Sequence, residues 1–96
     1  MEQTQKQQRM NRLYELIAGV TDPGDVAALL EDLCTRKEVE NMAERIFAAG
    51  LLMEGKTYSQ VMEQVEMSSA TLSRVSRCVQ YGSGYAKLLK SPKEEG

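Results

Sequence analysis

Residues 57–79 read TYSQVMEQVEMSSATLSRVSRCV, and the folding of this stretch decides how the rest of the chain is organised. Val61 and Val65 stand one helical turn apart, and Leu72, Val75 and Val79 repeat at spacings of three and four. Met67 falls between the two sets, where a short turn has to plug the angle between crossed helices. Two short helices that share one small core at a steep angle make a helix-turn-helix, and this pattern is what that motif needs.

The ends of the two helices carry matching signals. Thr57 with Gln60 has the capping-box form, and Ser68 or Ser69 can cap the second helix. Beyond that cap, the outward face reads Ser69, Ala70, Thr71, Ser73, Arg74 and Arg77. Small and hydroxyl side chains let a helix approach base edges closely, and arginines reach phosphates or guanine. The plainer alternative is two amphipathic helices of any α-helical protein. Glu66 favours that alternative. It follows Val65 at a turn position suited to a left-handed glycine, where a side chain costs on the order of 1 kcal/mol.

Net charge is −2, but its distribution is uneven. Residues 1–66 sum to −5, whereas residues 67–93 hold Arg74, Arg77, Lys87, Lys90 and Lys93 with no acid, hence +5. A polyanion is attracted to that end, and a solvated cluster of no function is the alternative. Ninety-six residues with five aromatics and no Trp allow one domain with a modest core of Leu, Val, Met and Ala. Cys34 and Cys78 are isolated and His is absent, so no metal site is expected and both cysteines read as reduced packing residues. No apolar run is long enough to span a membrane and the N-terminus is polar, so a cytoplasmic location is expected. No Cys or Ser sits beside a plausible base, so no enzyme is expected.

Outward from the motif, residues 1–9 are polar and Gln-rich, a flexible arm or a helix extension. Met10, Leu13, Tyr14 and Ile17 define a first helix that ends near Gly19. Asp22-Pro23 opens a second helix, with its stripe at Val26, Leu29, Leu30 and Leu33. Thr35 with Glu38 caps a third, longer helix that ends near Gly55. Val39, Met42, Ala43, Ile46, Ala49 and Met53 form its stripe, widened by Phe47, Gly50, Leu51 and Leu52. Apolar surface over so much of the circumference points to burial on more than one side, hence to a partner chain. After the motif, Gly82 and Gly84 make a turn, Tyr85, Leu88 and Leu89 begin a last short helix, and residues 92–96 are a tail. The main domain is thus 10–91.

At this point the chain resembles the tryptophan-repressor superfamily, in particular the small bacterial Trp-repressor-like proteins of the YerC/YecD type. The likeness covers about residues 10–90. It is carried by the capped helix from Thr35 through Arg45 to Gly55, and by the string Ala70-Thr71-Leu72-Ser73-Arg74. It implies an all-α fold of about six helices, an intertwined homodimer, two protruding helix-turn-helix heads, and repression at a double-stranded DNA operator. Arg45 and Arg74 match the two arginines that grip the corepressor carboxylate in the family, and Thr35 matches a Thr near that pocket. Arg45 equally suits a surface ion pair with Glu44 or Glu38. Val75 replaces the pocket Gly and takes up the ring space, so no cofactor is expected and tryptophan in particular is not; a smaller anionic effector stays open. Ser59 and Met62 stand where the repressor's first motif helix carries basic residues.

Two functions follow. The first is a dimeric DNA-binding regulator, in which Arg74, Arg77 and Lys87 grip phosphate while Ser69, Ala70, Thr71 and Ser73 approach bases. The rival is a helical dimer that serves as a protein-interaction module or adaptor without DNA, a view favoured by Glu66 and the thinned basic face.

Overall fold

A computed structural model describes residues 2–89, which form six α-helices with no strand among them. The expected tail at 92–96 and the basic residues Lys90 and Lys93 lie outside the described residues. The helices fall into two compact units that divide after Arg36.

The N-terminal unit holds α1 (Glu2–Gly19) and α2 (Pro23–Leu33). Of the two readings offered for 1–9, a flexible arm or a helix extension, residues 2–9 take the second, as the opening turns of α1. Gln and Lys are good helix formers, and Gln7 donates from Nε2 to Asn11 Oδ1 at 3.0 Å, one turn on. α2 starts where its cap signal lies. Asp22 Oδ2 accepts the Asp25 N–H at 3.2 Å, and Pro23 occupies the first turn. No residue of α2 is buried, and every described side chain of α1 from Thr4 onward is exposed. The apolar stripe Met10, Leu13, Tyr14 and Ile17 is among them.

The C-terminal unit holds α3 (Arg36–Met53), α4 (Tyr58–Met62), α5 (Ser69–Tyr81) and α6 (Gly84–Leu88). α3 closes in a Schellman arrangement: the Lys56 N–H bonds the Leu51 carbonyl at 3.1 Å, and the Gly55 N–H bonds Leu52 at 3.0 Å. Gly55 takes φ +93°, the one left-handed residue among those described. Gly82 is needed for a different reason. It ends α5 by donating to the Cys78 carbonyl at 2.8 Å, and a Cβ there would stand only 2.7 Å from that oxygen.

One core cluster joins these helices. It consists of Ala48, Ala49 and Leu51 from α3, Val61 and Val65 from α4 and its turn, and Leu72 and Val75 from α5. Leu52, Met62, Met67, Val79, Tyr85 and Leu89 pack around it. The apolar positions read from 57–79 are therefore the ones buried. α3 differs in detail from expectation. Ala48 is fully buried, while Ile46 and Phe47 remain 51% and 47% exposed. Within one chain, α3 is covered on one side only.

Replacing Gly55 by Ala should destabilise the fold by about 1–2 kcal/mol, because a Cβ in the left-handed region meets the following carbonyl. A lowered urea midpoint with an unchanged slope would show this.

Candidate nucleic-acid interface

The second helix of the motif is α5, and its first turn is capped from within. Ser68 Oγ accepts the Thr71 N–H at 3.1 Å, and its hydroxyl donates to Thr71 Oγ1 at 3.0 Å. The α4 cap is reciprocal: Thr57 Oγ1 accepts the Gln60 N–H at 3.1 Å, and Gln60 Oε1 accepts the Thr57 N–H at 2.8 Å. The α4 cap was legible from residue spacing, and of the two serines offered for α5 the structure uses Ser68.

With Leu72 and Val75 buried and Val79 packed beside them, the helical period sends Ala70, Arg74 and Arg77 to the opposite face. Ser69, Ala70, Ser73, Arg74 and Arg77 are exposed, and Thr71 is half-buried. Lys87 is exposed in the last turn of α6. From Met67 to Leu89 the sequence holds no acidic residue, so the charges that α5 itself carries, Arg74 and Arg77, are both positive.

Two of the expected base-reading hydroxyls have partners within the chain. Thr71 is engaged with Ser68, and Ser73 Oγ lies 2.8 Å from the Tyr58 hydroxyl. Tyr58 gives its single proton to the Ser69 carbonyl at 2.6 Å, so Ser73 donates to the phenol oxygen. Met62 is partly buried and packs against the core. Tyr81, at 82% exposed, continues the outer face one turn beyond Arg77. Its spacing of four from Arg77 is the signal by which the sequence could have placed it there.

The strain expected at Glu66 is absent, since no non-glycine residue described takes positive φ. α4 ends at Met62, and Glu63 continues in the helical region at φ −70° and ψ −21°, so the reversal is spread over several residues rather than forced on one. The Glu66 N–H donates to Glu44 Oε1 on α3 at 2.8 Å. A bond from a backbone N–H to a carboxylate is charge-assisted, and such bonds contribute about 1.5–3 kcal/mol.

Arg45 borders a polar cavity of about 270 Å³ together with Lys37, Asn41, Glu44, Glu66, Met67, Ser68 and Thr71. Arg74 is not part of its wall, so the structure does not bring the two arginines together at that cavity. Thr35 directly precedes α3 and belongs to the N-terminal unit. Val75 is 2% exposed and is a core residue, as the apolar pattern implied.

The sequence profile described as Trp repressor protein matches residues 8–92. This chain belongs to the Trp repressor family. The Bacillus subtilis (strain 168) protein YerC is 35% identical over 86 residues, 88% of this chain and 83% of its own length. A TrpR-like protein of Eubacterium eligens is 33% identical, with a TM-score of 0.79 over 84% of each chain. A candidate Trp repressor of Staphylococcus aureus is 28% identical, also with a TM-score of 0.79, over 84% of this chain and 82% of its own. The all-helical fold of this Trp repressor family member is thus shared with solved relatives.

Replacing Ser68 by Ala removes the cap of α5 and should cost about 1 kcal/mol, read as a lower urea midpoint.

Proposed function

We propose that this Trp repressor family member is a homodimeric, sequence-specific DNA-binding regulator that acts as a repressor. One observation carries the reading. α5 is a capped helix that buries Leu72 and Val75 and holds Ala70, Arg74 and Arg77 outward in a stretch without acids. That helix suits a major groove, with the arginines on phosphate or guanine and the small N-terminal residues near base edges.

Homodimerisation is supported by the apolar residues that one chain leaves exposed. Met10, Leu13, Tyr14 and Ile17 lie along α1, with Leu33 on α2 and Ile46 and Phe47 on α3. A helix so apolar on one face is not stable in water alone. The C-terminal unit also has an apolar groove of about 490 Å³, bordered by Ile46, Cys78, Gly82, Tyr85 and Leu88. A second copy of α1 would cover such surfaces. Two α5 helices about 34 Å apart would then meet successive major grooves of one duplex.

Selection from a random duplex pool should yield a pseudo-palindrome bound by the parent protein. Arg74→Ala and Arg77→Ala each remove one phosphate contact per protomer, so each should flatten the log–log salt dependence of dimer binding by about 1.8. No binding by the parent to random or genomic fragments at about 50 mM salt removes the proposal. Leu13→Asp should convert the dimer to a monomer in light scattering, and an unchanged mass would refute the interface.

A further inference from the structure

The turn into α5 is held by hydrogen bonds from two other helices. From α3, Glu44 Oε1 accepts the Glu66 N–H at 2.8 Å across 22 residues of sequence. From α4, the Tyr58 phenol bonds the Ser69 carbonyl at 2.6 Å and the Ser73 hydroxyl at 2.8 Å, gripping the first turn of α5. Between them these bonds restrain the approach to α5 and its opening turn.

Their role follows from what the core leaves undecided. Val61, Val65, Leu72 and Val75 hold α4 and α5 together, but apolar burial is non-directional and tolerates small rotations. Hydrogen bonds are directional and do not. A helix of 13 residues is roughly 20 Å long, so a tilt of about 10° moves its far end by roughly 3 Å. Base-edge hydrogen bonds fail under such a shift, whereas long arginine side chains still reach phosphate.

We infer that Glu44 and Tyr58 are positioning residues that set the tilt of α5, so that the reading head is prepared for its operator by bonds within the chain and without a bound effector. The inference rests on the DNA-binding function proposed above. It differs from effector control, in which the angle of α5 would be completed by a ligand. Here the carboxylate of Glu44 already accepts the turn N–H, and Val75 is shut into the core cluster on the inner side of α5.

The test uses the full-length protein, dialysed free of small molecules, with the selected duplex and a scrambled duplex. Glu44→Ala and Tyr58→Phe each remove one tie, whereas Glu44→Gln keeps an oxygen that can accept the Glu66 N–H. The ratio of specific to non-specific affinity should fall by about tenfold in Glu44→Ala and in Tyr58→Phe. Non-specific binding, set by the unchanged arginines, should stay within about twofold of the parent. Glu44→Gln should restore the ratio to within about threefold of the parent, and amide exchange at Glu66 should accelerate in Glu44→Ala alone. Adding L-tryptophan or inorganic phosphate should leave parent binding unchanged.

The inference is overturned if the parent binds its operator only with an added anion. It is also overturned if Glu44→Ala and Tyr58→Phe keep the parental ratio, or if specific and non-specific binding fall together with thermal stability. A parent that binds no duplex under any of these conditions sinks the DNA-binding proposal itself, and the inference with it.

Discussion

Val61, Leu72 and Val75 are shut away with Ala48, Ala49 and Leu51 in a single small cluster, and the rest of the head depends on that enclosure. Burying such side chains yields about 25 cal/mol for each Å² of apolar surface removed from water, but it sets no angles. Two of the cluster's members are alanines, so the area involved is modest. Geometry is therefore left to hydrogen bonds at the edges of the cluster. Thr57 and Gln60 start α4, Ser68 starts α5, and Tyr58 and Glu44 tie the two helices and their turn together.

The same small core explains why so much apolar surface remains outside. Neither α1 nor α2 has a described side chain that is buried, and Ile46 and Phe47 of α3 are about half exposed. The apolar surface that these helices leave outside is therefore a feature of the single chain. Symmetric association is the usual way to cover such a stripe.

A net charge of −2 gives little guidance to what the outer face of α5 attracts. Screening confines a surface charge to about 10 Å at ordinary ionic strength. Arg74 and Arg77 stand on the exposed face of α5, whereas the acids Glu44 and Glu66 border the cavity at its N-terminal end together with Ser68 and Thr71. The acids lie earlier in the chain, and one of them, Glu44, has a defined bond to the turn.

Six helices, most of their boundaries and the caps at Asp22, Thr57 and Ser68 were legible in the residues alone, as was the membership of Val61, Val65, Leu72 and Val75 in the core. Helical periodicity and capping act over three or four residues, so sequence carries them directly. The strain expected at Glu66 is absent, the internal partner of Ser73 was not foreseen, and the exposed Tyr81 was passed over. The Glu66 and Ser73 readings turned on partners 22 and 15 residues away, Glu44 and Tyr58. Sequence alone determined that this chain forms amphipathic helices with a cationic one near its end. Only the tertiary structure decided which polar groups on that helix are already engaged and what holds its entry turn, because those bonds join residues that become neighbours only after the chain has folded.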